Sequence, residues 1–185
     1  MSKLIIIRAA PGTGKTSVAN ILHNRADAET VLLPRDLFHI EIIKDRRELR
    51  AAVNDVYFTA IAKFLEADAV VICEGAFYSE FWHESFKKIE QELKPETFHF
   101  FLKASLETVL DRARNRKKAD ILTDDMIKGE YAGAKPLGWE KEHIIDTEGK
   151  SLEEVAAEVA ETAGLKLIKG LKGPWYSDSF HPDSD

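Results

Sequence analysis

Short apolar runs and amphipathic stretches alternate along the chain. Leu4-Ile5-Ile6-Ile7 marks a first strand over residues 3–8, and residues 30–33 give a second that ends in Pro34-Arg35-Asp36. Ala69-Val70-Val71-Ile72-Cys73 is unbroken in its apolarity, as expected of a central strand buried on both faces. Residues 98–102 and His143-Ile144-Ile145-Asp146 supply the fourth and fifth strands. Helical patterns fill the gaps: one after Thr16, a long one over 37–66 with a break near 44–48, and an amphipathic one over 81–93 that stops before Pro95. Ser105 is placed to cap a helix running to about Lys117, and a short helix follows from Asp124. Ser151-Leu152-Glu153-Glu154 has capping-box spacing and opens a helix that stops at Gly164. Such alternation predicts an α/β fold with a mostly parallel five-stranded sheet. Leu165-Lys166-Leu167-Ile168 is expected to add a small strand.

The sharpest local feature is Ala9-Ala10-Pro11-Gly12-Thr13-Gly14-Lys15-Thr16, set between the first strand and the first helix. Strand, glycine-rich turn and helix form the context of a phosphate-binding P-loop, which a chance Gly-Lys-Thr in a surface loop would lack. Gly12 and Gly14 allow backbone N–H groups to turn inward on phosphate oxygens, and the helix start adds its own free N–H groups. Pro11, Gly12, Thr13, Gly14, Lys15, Thr16 and Ser17 are therefore the expected ATP-binding residues. Lys15 would reach the β- and γ-phosphates, and the Thr16 hydroxyl would ligate Mg2+. Ala9 replaces the glycine usual at the first motif position, at the strand end and away from the phosphates.

Bulk properties narrow the setting. The 185 residues suit one domain, expected over 1–170, with a tail over 171–185 in which Trp175 and Tyr176 stand out. Hydrophobic residues make up 44% and charged residues 31%, an ordinary globular balance. The net charge of −6 disfavours a general grip on long nucleic acid. One cysteine, Cys73, excludes an internal disulfide, and no apolar run approaches a membrane span or a signal peptide. A cytoplasmic protein is expected, with no membrane partner.

Ligand-contacting residues of an open parallel sheet gather at the carboxyl ends of its strands. Asp36, Glu74 and Asp146-Thr147 fall there. Phosphoryl transfer needs a carboxylate near the metal and another to orient or deprotonate an acceptor hydroxyl. Asp36 and Glu74 could divide those tasks, and the alternative for Asp36 is to cap the helix before Leu37. Arg112 and Arg116 are four apart and share a helix face, which suits stacking on a base and stabilising a transferring phosphoryl group. The alternative is a solvated helix end whose cations complement the dipole. Phe77 and Tyr78 follow Glu74 closely enough to line an acceptor pocket, whereas helical spacing assigns Phe81 and its neighbours to the core. His39, His83 and His99 lack the spacing of metal ligands.

With these residues in place, about residues 3–165 resemble the small P-loop kinases. This group is nucleoside-monophosphate-kinase-like and includes adenylate, gluconate and shikimate kinases and the polynucleotide-kinase-like and zeta-toxin-like branch. The resemblance implies a three-layer P-loop NTPase fold with a mobile lid, here over 118–138. It implies that Arg112 packs on the adenine while Arg116 reaches the phosphates, and that the loop at Thr147 borders the adenine. Pro34-Arg35-Asp36 is similar to the acceptor-side strand end of the polynucleotide-kinase-like branch, which implies that Asp36 is the acceptor's base. Glu74 occupies the place where the group often carries an aspartate near magnesium.

The expected activity is an ATP-dependent kinase acting on a hydroxyl or phosphate of a small molecule, nucleoside or nucleotide. Its catalytic residues would be Lys15, Asp36, Arg112 and Arg116, and its metal site Thr16 and Glu74. A P-loop ATPase or ATP-binding regulatory module without such an acceptor is the competing reading, and an end-of-nucleic-acid kinase a weaker third. Residues 37–64 are the expected acceptor pocket, and their mixture of Glu41, Lys44, Asp45, Arg46, Arg47 and Arg50 names no substrate.

Overall fold

A computed structural model describes residues 2–114, 123–138 and 141–169 of the chain. Its centre is a five-stranded sheet of order β2-β3-β1-β4-β5. The strands are β1 (Lys3–Ala9), β2 (Thr30–Pro34), β3 (Val70–Gly75), β4 (Glu96–Lys103) and β5 (Glu142–Asp146), and every pairing between them is parallel. The sheet is thus wholly parallel, not merely mostly so. All the connections are crossovers, so no hairpin is required; β1 and β3 are buried between helical layers, while the edge strand β5 stays largely exposed.

Alternation along β1 sends its side chains to the two faces in turn. Ile5, Ile7 and Ala9 join Ile72, Phe100, Leu102 and Ile145 beneath α1 (Lys15–Arg25) and α6 (Leu152–Thr162), through Val18, Leu22, Val155 and Val159. Leu4 and Ile6 join Val71 and Cys73 beneath α2 (Arg50–Glu66) and α3 (Glu80–Leu93), through Val53, Tyr57, Ile61, Trp82 and Phe86. Ser151 forms the anticipated capping box: its hydroxyl accepts from Glu154 N–H while the Glu154 carboxylate accepts from Ser151 N–H.

The break expected in the long helical stretch is present and has a definite form. Residues Leu37–Ile42 make a π-helical turn, Lys44 and Asp45 both take positive φ, and a 3-10 turn at Arg47–Leu49 leads into α2. Two sequence expectations are corrected. Phe81 is 45% exposed, because the buried stripe of α3 runs through Trp82, Phe86 and Ile89. Residues 165–168 make no strand of their own: Leu167 forms a single antiparallel bridge with Ala26.

After α4 (Leu106–Arg114), helix α5 (Asp124–Gly133) begins at Thr123, whose hydroxyl accepts from Met126 N–H. Ile127 and Tyr131 pack it against Val109 and Ala113 of α4. Arg116, residues 118–122 of the anticipated lid and the tail over 171–185, with Trp175 and Tyr176, lie outside the described residues.

Candidate active site

Strand order reverses direction at β1, whose neighbours are β3 on one side and β4 on the other. Ligand crevices of open α/β sheets form at such a switch point, and here the P-loop leaves the carboxyl end of β1. Gly12 has φ +88° and Gly14 φ +94°, a region that L side chains avoid. A Cβ on Gly12 would lie 2.7 Å from the Val109 carbonyl oxygen, and one on Gly14 would lie 2.8 Å from Leu152 Cδ2. The glycines thus let helices α4 and α6 close on the loop as well as freeing its N–H groups. Thr13 is buried and turned inward, its hydroxyl donating to the Ala10 carbonyl at 2.8 Å, so the side chain braces the loop.

Helix α1 starts from Gly14 with no side-chain cap and no acidic residue in its first turn. Its first N–H groups and the positive end of its dipole are thereby left for an anion. Lys15 and Thr16 occupy that turn. The Thr16 hydroxyl donates to Glu74 Oε2 at 3.2 Å, and Glu74 is only 3% exposed. A hydroxyl and a carboxylate this close form a pair of hard oxygen donors. Mg2+ takes few protein ligands and completes its shell with phosphate and water, so the two residues fit the metal implied by the sequence.

On the other side of the loop lies a cavity of about 350 Å³, lined by Gly12–Gly14, Arg112, Thr147, Leu152 and Val155. Two Arg112 nitrogens donate to Thr147, one to its hydroxyl at 3.0 Å and one to its carbonyl at 2.9 Å. The Thr147 hydroxyl in turn donates to Lys103 O at 3.1 Å. Next to it, the Glu148 carboxylate accepts from Ser105 N–H and, at 2.8 Å, from the Thr108 hydroxyl. Those bonds hold the Glu148 carboxyl below the usual range. Arg112 is consequently fixed as a wall of the cavity. Lys150, Leu152 and Val155 of this wall were not singled out from the sequence; only the capping box at Ser151 marked that helix start.

From the sequence, the acceptor side is expected at the end of β2. Pro34 lies in register with Glu74, which puts Asp36 just past the carboxyl end of β2, one strand removed from β1. Asp36 opens the π-helical turn, yet its side chain makes no capping bond. Its carboxylate is instead paired with Arg35 Nη1 at 3.3 Å and stays half exposed. Gly75 makes room for this arginine: a Cβ there would fall 2.7 Å from Arg35 Cβ. Arg35 lies over the Trp82 ring at 5.6 Å. The Tyr78 hydroxyl donates to Ala9 O at 2.7 Å, and burial raises its pKa, with the Glu130 charge adding to the rise. Phe77, by contrast, is wholly buried in the core and lines no accessible pocket.

A buried ion pair, not foreseen from sequence, ties this side together. The Arg8 and Glu142 side chains are each 1% exposed and bonded to one another. Arg8 also donates to Phe77 O at 3.3 Å, while Glu142 accepts from the N–H groups of Leu137 and Gly138.

No protein-family model matches the chain, and no curated protein matches it in sequence. Solved structures do share its architecture. The Deinococcus radiodurans tunicamycin resistance protein superposes with a TM-score of 0.68 at 20% identity, over 92% of this chain and 100% of that one. A gluconokinase from Sinorhizobium meliloti 1021 gives 0.61 at 17% identity, over 88% of this chain and 94% of the other. The Mycobacterium tuberculosis APS kinase in complex with AMPPNP and APS gives 0.64 at 15% identity, over 86% and 96%. The fold is the three-layer α/β P-loop NTPase fold. Within that class it takes the form seen in small P-loop kinases. Among the described residues no helix is long and apolar enough to cross a membrane.

Proposed function

We propose that the chain is an ATP-dependent kinase that transfers the γ-phosphoryl group to a hydroxyl of a small-molecule acceptor. The observation that carries this reading is the Asp36 carboxylate. It makes no capping bond and is half exposed, two residues past β2, the strand whose Pro34 pairs with Glu74. A carboxylate with no capping role at this strand end can take an acceptor's proton, which supports transfer to a hydroxyl.

Loop amides, the start of α1 and Lys15 would hold the triphosphate, with the base in the cavity beside Arg112 and Thr147. Thr16 and Glu74 would hold Mg2+, which when bound supplies charge neutralisation across the β- and γ-phosphates. Asp36 orients the acceptor hydroxyl and takes its proton as the new O–P bond forms and the bond to the leaving ADP oxygen breaks. The resemblance assigns Arg116, outside the described residues, to the phosphates, with lid closure excluding water. Kinases that share this fold, such as the gluconokinase and the APS kinase, act on small molecules, which supports an acceptor of that size.

Acceptor-dependent ADP release tests the reading. Lys15→Ala should abolish transfer and weaken ATP binding. Asp36→Asn should lower kcat by roughly 10²- to 10⁴-fold, the usual range for a general base, and leave ATP affinity nearly intact. Wild-type turnover in Asp36→Asn, or ATP turnover indifferent to every acceptor, would refute it.

A further inference from the structure

Helix α4 is held by little apolar contact. Its buried side chains are Val109 and Ala113, in a small cluster with Ala104 and Ile127 that is separate from the two large cores on the faces of the sheet. Yet α4 borders the P-loop cavity closely. Arg112 forms part of the cavity wall, and a Cβ on Gly12 would lie 2.7 Å from Val109 O and 3.0 Å from Val109 Cγ1. Where so little surface is buried, polar ties decide where a helix sits.

The start of α4 carries such a tie. The Ser105 hydroxyl accepts from Thr108 N–H at 3.2 Å, as a capping serine does. A complete capping box would place Glu or Gln at the third helical position, with its side chain accepting from the N–H of the cap. That position is Thr108 here. The missing carboxylate comes from Glu148, 43 positions further on, which accepts from Ser105 N–H. It also accepts from the Thr108 hydroxyl at 2.8 Å. Helix α6 completes its own box locally with Glu154, whereas α4 borrows a carboxylate from the loop between β5 and α6.

That loop is itself fixed to the sheet. Thr147 donates to Lys103 O through its N–H at 2.9 Å and its hydroxyl at 3.1 Å, and Glu148 N–H donates to Asp146 at 3.0 Å. Thr108 and Arg112 are four apart and share one face of α4. Two successive loop residues take that face: Glu148 bonds Thr108, and Thr147 bonds Arg112 through its hydroxyl and its carbonyl. Bonds from Ser105 and Thr108 favour the charged form of Glu148, and the Arg112 charge adds to the effect. Bonds to a charged acceptor are stronger than neutral ones, and a carboxylate at a helix start also suits the dipole. Glu148 does not itself line the cavity, but Arg112 and Thr147 do.

We propose that Glu148 is a positioning residue for the nucleobase: by joining the start of α4 to the β5–α6 loop, it fixes how far Arg112 stands from Leu152 and Val155 across the cavity, and so sets the affinity for the base. This inference rests on the nucleotide half of the proposed function and not on the acceptor.

The full chain with Mg2+ is titrated by calorimetry with AMPPNP and, separately, with inorganic tripolyphosphate, and stability is read as a urea midpoint. Glu148→Gln should weaken AMPPNP binding roughly three- to tenfold, the scale of losing a charge-assisted bond discounted for its exposure. Tripolyphosphate affinity should stay within about twofold. Adding Thr108→Glu to that variant puts a carboxylate at the third helical position, where it can close the capping box locally. The double variant should have the wild-type urea midpoint and still bind AMPPNP weakly, because its carboxylate no longer joins α4 to the loop. Recovery of AMPPNP binding along with stability would make Glu148 a helix cap and overturns the positioning role. Unchanged AMPPNP affinity in Glu148→Gln overturns it too, as does equal weakening of tripolyphosphate, which would place the effect at the P-loop and not at the base. A wild-type chain that binds tripolyphosphate no more weakly than AMPPNP refutes the base cavity and this inference with it. A chain that shows the expected differences but phosphorylates no acceptor loses the kinase reading and keeps this one.

Discussion

The Thr16 hydroxyl and the Glu74 carboxylate, 58 positions apart in the chain, meet at 3.2 Å at the start of α1. Parallel pairing of β1 with β3 sets Ile7 against Glu74, and the P-loop folds back over that pair. The contact ties a helix start, which favours anions, to a carboxylate that repels them. A cation between them and a triphosphate resolves the conflict. Glu74→Gln keeps the shape and an oxygen to accept the Thr16 bond, but removes the charge. It should raise the Mg2+ concentration needed for half-maximal turnover and lower kcat about 10²-fold or more, the scale of losing one electrostatic transition-state contact. ATP binding in EDTA, read by calorimetry, should be retained or improved. An unchanged Mg2+ titration would remove Glu74 from the metal site.

Gly12 and Gly129 should respond oppositely to the same substitution. A methyl at Gly12 meets Val109 O at 2.7 Å from a backbone with φ +88°, so α4 must move away. Gly12→Ala should lose about 1–3 kcal/mol by urea denaturation, the usual range for strain of this kind. Gly129 lies inside α5 with nothing within 4 Å of a built Cβ. Gly129→Ala should gain about 0.5–1 kcal/mol from helix propensity alone. Equal effects at both sites would mean that the contact with Val109 is relieved at little cost.

The parts of this site that are local in sequence were legible in it. Strand, loop and helix around Gly12–Thr16 follow from hydrophobic period and glycine placement, and Glu74 was marked by a carboxylate directly after a buried run. Parallel order was legible too, because unbroken apolar strands alternated with helices. What could not be read depends on side-chain geometry or on distant pairing. Phe81 and Trp82 are adjacent and both aromatic, and only the orientation of α3 decides which is buried. Asp36 had two readings that differ by one hydrogen bond, and its side chain makes no capping bond at the start of the π-helical turn. Arg8 closes the strand read over residues 3–8, while its partner Glu142 lies 134 positions away.

That Arg8–Glu142 pair sets up a test of what buried charge does here. Removing one partner leaves an uncompensated charge in the interior, at a usual cost of about 3–5 kcal/mol, while replacing both by apolar residues is often neutral. Arg8→Met and Glu142→Leu should each be strongly destabilising, and the double variant should recover most of the loss. Glu142 also accepts from Leu137 and Gly138 N–H, so the double variant should still exchange those amide hydrogens faster than the wild type. Additive single effects in denaturant titrations would show that the two side chains are not energetically coupled.

Cys73 gives a pH dependence whose direction is fixed by burial. Burial pushes its thiol up to about 12; the Tyr57 hydroxyl opposes the rise by hydrogen bonding and the Glu74 charge adds to it. An unfolded chain releases that proton near pH ~8.5. Between the two values the unfolded state is ionised and the folded state is not. Stability from this group is therefore complete below the unfolded pKa and declines as pH rises toward the folded one. Tyr57, raised for the same reason, adds to the decline at higher pH. Native protein at pH 8 should leave the thiol unlabelled by a disulfide reagent until it unfolds. Cys73→Ala should be less stable at neutral pH through the lost volume, yet its guanidinium midpoint should fall less steeply between pH 8 and 10.5. Parallel slopes in the two proteins would mean that the thiol titrates alike in the folded and unfolded states and that its burial has no electrostatic consequence.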